Sequence, residues 1–159
     1  MPTVVPDIMP SMSEIKYNIH REGPVWQFIH RFFMKSPTFA ITLFSHIFLP
    51  SWYFEEGGDE IEKQALLLHE VEHVRQWQRE GLSFIAGYLF SAKKRRIYEL
   101  EGFNAQISHL VKNGRSVDAE GWADSISDYS IMSFIGADEA AAIVRQWVGE
   151  SEPGPKPPE

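Results

Sequence analysis

One short motif constrains this chain more than any other feature: residues 69–73 have the pattern His-Glu-x-x-His. On an α-helix, residues four positions apart lie on one face, so the imidazoles of His69 and His73 can reach a single point. Neutral imidazole is a common ligand of divalent metals, and two imidazoles supply half of a tetrahedral zinc shell. Glu70 lies about 100° around the helix from His69, where a general base must stand to take a proton from metal-bound water. The motif therefore predicts a helix that carries a zinc site.

Composition and charge limit what the rest of the chain can be. The 159 residues are enough for one domain with a real core, and a hydrophobic content of 43% is typical of a globular protein. The net charge of −7 disfavours nucleic acid as a main partner. Because the chain has no cysteine, disulfides and thiolate metal sites are excluded, and a metal must be held by His, Asp or Glu.

The sequence also indicates where the protein is found. The longest uncharged run, residues 36–54, contains a histidine and two prolines, which makes it a poor membrane span. The N-terminus lacks the basic start and apolar block of a signal peptide. We therefore expect a soluble protein without a membrane span, either cytoplasmic or associated with a phage or virion.

The helix around the motif has recognisable ends. Asp59 suits the N-cap position and Gly81 suits the C-cap position, which predicts a helix over residues 60–80. The face opposite the two histidines carries an apolar stripe, made of Leu67, Val71 and Val74. Since apolar residues also flank the imidazoles, we expect this helix to lie in the middle of the fold.

Upstream of this helix, the sequence predicts an arm, a helix and a pair of strands. Residues 1–13 contain three prolines and no apolar periodicity, which is typical of an extended or disordered arm. Residues 24–35 begin with proline and carry an apolar stripe, so a helix is predicted there. The β-branched and aromatic content of residues 38–49 favours two short strands that meet near Ser45 and His46. They form either a core hairpin or a sheet edge along which an extended peptide can dock.

Downstream, the apolar pattern predicts further helices, over residues 82–90, 97–112, 116–134 and 137–148. The basic run 93–96 is interpreted as a solvated turn at the C-terminal end of a helix. Residues 150–159, with four prolines, are interpreted as a disordered tail. The prediction is a single domain, residues 14–149, of the α+β class: mainly helical, with a small hairpin or sheet packed on the active-site helix.

A third metal ligand has to come from another element, because a catalytic zinc normally has three protein ligands and a water. Glu99 and Glu101 are the leading candidates, since the chain before them is long enough to finish the first helix, turn and return antiparallel. Two positions apart on a helix, they point about 200° from each other, so only one can bind the metal. Gly102 is small enough to let this helix pack closely on the metal helix.

The motif, followed by a glutamate on a later helix, resembles the gluzincin metallopeptidases, especially the small single-domain minigluzincins. The resemblance covers about residues 38–106 and includes segments 40–43, 47–49, 73–76, 88–89 and 98–102, together with Gly81. It implies a zincin-like core, Zn²⁺ as cofactor, and three metal ligands: His69, His73 and Glu99. Phe103 departs from the family pattern, because it stands where an acidic residue usually supports the first histidine.

The motif and the resemblance together imply a zinc-dependent metallopeptidase that hydrolyses peptide bonds in peptides or proteins. Glu70 is expected to accept the proton of the metal-bound water and to pass it to the leaving amine. A donor to the oxyanion is also needed, and Tyr129 and His109 are candidates.

Other functions are compatible with the same residues. A zinc-stabilised interaction or structural module without turnover would keep the site, and the Pro-rich ends and short chain suit assembly into a larger particle. A hydrolase that cuts the peptide cross-links of peptidoglycan is a further alternative. A DNA-associated protease is disfavoured by the net charge.

Overall fold

The structure is a computed structural model that describes residues 15–24, 27, 40–128 and 135–151. In these ranges three strands precede five α-helices. The strands are β1 (Asn18–Arg21), β2 (Ile41–Leu43) and β3 (His46–Leu49), and a 3-10 helix follows at Ser51–Phe54. The helices are α1 (Glu60–Glu80), α2 (Leu82–Phe90), α3 (Ala92–Lys112), α4 (Ala119–Asp128) and α5 (Ala137–Ser151). The α+β, mainly helical prediction is confirmed for this part of the chain.

Helix α1 has the predicted bounds, and both predicted caps are present. The Asp59 side chain accepts hydrogen bonds from the backbone N–H groups of Ile61 and Glu62, which satisfies two of the free donors at the helix start. At the other end Gly81 has a φ of 57°, a left-handed conformation that favours glycine. The prediction of a helix over residues 82–90 is also confirmed.

Helix α3 begins earlier than predicted, so the interpretation of the basic run 93–96 as a turn is wrong. Ser91 separates α2 from α3, and its hydroxyl accepts a hydrogen bond from the backbone N–H of Lys94. The run therefore occupies the first turn and a half of α3. From there Arg95 donates to the backbone carbonyl of Tyr88 in the last turn of α2. A single serine between two helices gave no glycine or proline signal in the sequence.

Other boundaries differ from the prediction in smaller ways. Strand β1 was not predicted, because it is held by a parallel pairing with β3, which is distant in sequence. Helix α4 begins at Ala119, after Asp118 accepts a hydrogen bond from the backbone N–H of Glu120. Helix α5 extends to Ser151, into the predicted tail. The predicted arm, most of the helix predicted over 24–35, and residues 129–134 and 152–159 lie outside the described residues.

The small sheet packs one face on α1. Strand β3 is central, parallel to β1 and antiparallel to β2. Because side chains alternate along a strand, Ile47 and Leu49 share one face, and both are fully buried. They form a cluster with Val71 and Val74, two residues of the predicted apolar stripe. The stripe therefore meets the sheet, as its position opposite the histidines required.

The hairpin between β2 and β3 turns at Phe44 and Ser45, where the sequence predicted the two strands to meet. Phe44 has a φ of 58°, a left-handed conformation that a bulky residue rarely adopts. Its ring packs edge-on against Trp77 of α1, with 4.8 Å between ring centroids. The turn thereby holds the C-terminal end of β2 against the helix that carries the His-Glu-x-x-His motif.

Helix α3 covers the opposite side of α1, so α1 lies between the sheet and α3. The two helices approach closely at Gly102, where a Cβ atom would lie 2.9 Å from Nε2 of His69. The close packing predicted at Gly102 is therefore present. Beyond it, Phe103 and Ile107 join a second core with α4 and α5, which includes Ala123, Ile126, Ala140 and Val144. Within the described ranges, no helix is both long and apolar enough to cross a bilayer.

We expect Gly102→Ala to lower the free energy of unfolding by about 1–3 kcal/mol, because the added methyl overlaps the buried His69 ring and forces α1 and α3 apart. Urea denaturation followed by circular dichroism measures the change. Gly149→Ala in α5 is the control, since its Cβ would meet nothing within 4 Å; it should leave stability unchanged or raise it by up to about 1 kcal/mol. Equal stability of both variants would contradict the close approach.

Candidate metal centre

Two helices bring three potential metal ligands together. His69 and His73 on α1 and Glu99 on α3 each offer one ligand atom, and these atoms all lie within 4.8 Å of one another. Nε2 of His69 is 3.6 Å from Oε2 of Glu99, and Nε2 of His73 is 3.7 Å from Oε1. Both histidines are buried. The structure therefore places the three predicted ligands around one point that could hold a divalent cation.

Glu101, the other candidate from the sequence, points away from this cluster. Its Oε2 accepts a hydrogen bond from Nε2 of Gln76 at 2.9 Å and lies 3.4 Å from the guanidinium of Arg79. The opposite directions of Glu99 and Glu101 follow from their two-residue separation on a helix.

Gln76 determines which nitrogen of His73 carries the proton. The amide nitrogen of this fully buried residue donates to the backbone carbonyl of Tyr98 (3.0 Å) and to Glu101. Since both partners are acceptors, Oε1 of Gln76 must face His73, whose Nδ1 lies 2.8 Å away. Nδ1 therefore donates, and Nε2 presents its lone pair towards the cluster. Sequence reasoning gave Gln76 no role, although it lies three positions after His73.

His69 has different neighbours from those of the family pattern. The ring of Phe103 packs edge-on against its imidazole, with 4.7 Å between centroids. Gln106 lies four positions after Gly102 on α3, and an interaction of its side chain with His69 raises the pKa of that imidazole. A phenyl ring and an amide thus lie near His69, where the resemblance to the gluzincins predicts a carboxylate. The spacing from Gly102 to Gln106, one turn on the same face, was the available signal for this residue.

Tyr88 of α2 holds one oxygen of Glu99. Its hydroxyl donates to Oε1 at 2.5 Å, while Oε2 is buried and receives no hydrogen bond from the described residues. Sequence reasoning gave Tyr88 no role and named Tyr129 and His109 as candidate oxyanion donors. Tyr129 lies outside the described residues, and His109 lies near the exposed end of α3, 3.3 Å from the Asn113 side-chain nitrogen. Among the described residues, Tyr88 is the tyrosine whose hydroxyl bonds a predicted metal ligand.

Glu70 is held beside the cluster by the sheet. Thr42 of β2 donates its hydroxyl proton to Oε2 of Glu70 at 2.8 Å, and the same hydroxyl lies 3.2 Å from the Glu70 backbone carbonyl. The residue is only 2% exposed. Strand β2 thus fixes the rotamer of Glu70, the carboxylate that the sequence predicts to act as a base.

The electrostatics of the cluster favour positive charge. Burial alone would lower the pKa of His69, but the interactions with Glu99 and the charge of Glu70 outweigh it and raise the pKa above 6.5. Burial alone would raise the pKa of Glu99, but the two imidazoles and the Tyr88 hydroxyl lower it to about 2. Glu99 is therefore ionised at neutral pH, and its negative charge stabilises a proton on His69.

Compared with protein-family models, with curated proteins and with solved structures, the chain gives no match. The interpretation of the site therefore depends on its own geometry and on the motif.

In metal-free protein, we expect an NMR titration to give a His69 pKa above 6.5 and Glu99→Gln to lower it, because burial persists when the anion is lost. Since the pKa of His69 is raised in the folded state, its contribution to stability is complete below the unfolded value of about 6.5 and is lost as pH rises through the folded value. The stability gap between wild type and Glu99→Gln should therefore narrow from pH 6 to pH 9.

Glu101→Gln is the matched control for this titration, because it removes the same charge from the same helix on the side away from His69. It should leave the pKa of His69 near the wild-type value. An equal decrease in both variants would show that Glu99 has no special relation to His69.

Proposed function

We propose that this protein is a zinc-dependent metallopeptidase of the gluzincin type, with Glu70 as the general base. The observation that carries the proposal is the convergence of His69, His73 and Glu99, from two helices, beside a carboxylate held by a third element. Two imidazole nitrogens and one carboxylate oxygen are a common protein ligand set of catalytic zinc, which keeps the fourth position for water or substrate.

The residues present fit a zinc ion. Gln76 contacts Nδ1 of His73, so the lone pair on Nε2 is available to a metal. Oε2 of Glu99 is a buried acceptor, and no described residue donates a hydrogen bond to it. A buried acceptor without a partner is costly, and a bound cation removes that cost. When bound, zinc supplies a Lewis acid that polarises a carbonyl and lowers the pKa of water.

Within this scheme, each residue of the chain has a separate task. Glu70, fixed by Thr42, accepts a proton from the attacking water and delivers it to the leaving amine. Tyr88 occupies Oε1 of Glu99 and leaves Oε2 for the metal. Gln76 keeps the His73 imidazole oriented, as outer partners of metal-binding histidines generally do.

Peptides are the substrate class that the position of β2 favours. Among the described strands, β2 pairs only with β3, so one of its edges has no strand partner. The strand also carries Thr42, which contacts the proposed base. An extended peptide added to this edge would run past Glu70, with Leu43 and Phe44, both partly exposed, available to contact its side chains.

A zinc-stabilised structural module without turnover is the second candidate. The observation that favours it is burial: His69, Glu70 and His73 are 3%, 2% and 7% exposed, and structural zinc sites are closed. Such a module would bind zinc through the same three ligands and would not depend on Glu70.

Glu70→Gln separates the two candidates. We expect the variant to retain one zinc per chain and to lose activity by about 100-fold or more, because only the proton acceptor is removed. Zinc content by atomic absorption and cleavage of an unstructured protein substrate, with peptidoglycan as a parallel substrate, are the measurements. Glu72→Gln is the control, since Glu72 is ion-paired with Arg75 and has no proposed role in turnover.

Wild-type activity in the zinc-loaded Glu70→Gln variant would contradict the assignment of the base. Zinc binding without cleavage of any substrate by the wild type would favour the structural module. Absence of zinc binding by the wild type would contradict both candidates.

Tyr88→Phe tests the geometry of the third ligand. Loss of the hydroxyl frees Oε1 of Glu99 to rotate, so we expect zinc affinity to fall by about 10–100-fold, the usual effect of removing an outer hydrogen bond from a metal ligand. Competition with a chromophoric chelator measures the affinity. Tyr98→Phe is a matched control, because it also removes a tyrosine–glutamate hydrogen bond, to Glu80 at 2.5 Å, but away from the proposed ligands. Equal affinity of both variants and wild type would contradict the role of Tyr88.

A further inference from the structure

Helix α2 has two faces with opposite surroundings. Its inner face packs on α3 and on the candidate metal centre: the Phe84 ring lies 4.8 Å from the Tyr98 ring, and Tyr88 bonds Glu99. The opposite face carries four apolar residues spaced as one helical stripe: Leu82, Ala86, Leu89 and Phe90. The large side chains of this stripe are strongly exposed, at 78% for Leu82, 55% for Leu89 and 86% for Phe90.

The charge next to this stripe differs from that of the whole chain. Residues 81–98 contain four basic and no acidic residues, in a chain with a net charge of −7. Lys93, three positions after Phe90, is exposed. Lys94 and Arg96 pair with Glu80 and Glu139 at the border of the region. Such partly exposed pairs are weak, so the end of the stripe remains a local excess of positive charge.

We propose that the outer face of α2 binds the surface of an anionic lipid bilayer. Leu82, Leu89 and Phe90 enter the boundary between headgroups and acyl chains, and Lys93 contacts the lipid phosphates. The helix lies in the plane of the surface, because its nine residues are far too short to span a bilayer. An anionic bilayer satisfies both features at once: it accepts an exposed apolar stripe and attracts the basic run beside it. This surface is independent of the proposed zinc chemistry.

Co-sedimentation of the full chain with lipid vesicles tests the proposal. We expect binding to vesicles of phosphatidylcholine mixed with phosphatidylserine, weaker binding to phosphatidylcholine alone, and loss of binding with added salt. Phe90→Ser and Lys93→Glu should each lower the partition coefficient by about tenfold. Both side chains are exposed, so circular dichroism should show an unchanged fold.

Two matched controls identify the surface. Phe54→Ser changes an exposed aromatic residue of the 3-10 helix, and Lys112→Glu reverses an exposed charge at the far end of α3; both should bind within about twofold of wild type. No binding to anionic vesicles, or equal losses in the control variants, would overturn the proposal. So would a dimer in analytical ultracentrifugation that Phe90→Ser converts to monomer, since the face would then be covered by a second copy of the chain.

Discussion

The contact of α1 with α3 at Gly102 is the constraint on which the rest of the structure depends. A hydrogen in place of a side chain lets the backbone of α3 lie against the imidazole of His69. At that separation Glu99, less than one turn earlier, reaches both histidines, and Phe103, immediately after, enters the second core. A wider spacing would leave the histidines buried without an anion and would open a cavity beneath them, and both are costly.

The polar groups of the cluster come from α1 and from each of three described parts of the fold that pack on it: the sheet, α2 and α3. Thr42 comes from the sheet, Tyr88 from α2 and Glu99 from α3, while Gln76 lies on α1 itself. Removing one partner from a buried polar network is costly, because the group left behind lies in a low dielectric. The cluster therefore links the sheet, α1 and the α2–α3 hairpin into one cooperative unit, because loss of any one element leaves a buried donor or acceptor without its partner.

The parts of the structure that local chemistry specifies were predictable from the sequence. Asp59 and Gly81 gave the bounds of α1, and helical spacing on α1 placed the histidines opposite the apolar stripe. The position of Glu99 followed from chain length and from the family resemblance. Strand β1 was missed because its partner is distant in sequence, and α3 was predicted too short because one serine separates it from α2. The contacts of Thr42 and Tyr88 were missed because they depend on how the elements cross, which residue spacing does not specify. The role of Gln76 was missed although this residue lies three positions after His73 on the same helix.

The partner of His73 also determines how the site responds to acid. A carboxylate in that place would gain a proton as pH falls and could then turn from acceptor to donor, which would release or invert the ring. The Gln76 amide does not ionise, and its orientation is held by two acceptors, the Glu101 carboxylate and the backbone carbonyl of Tyr98, of which the carbonyl does not ionise either. The Tyr98 carbonyl accepts from the amide at any pH, so Gln76 keeps its oxygen towards Nδ1 of His73 whatever the charge of the Glu101 carboxylate.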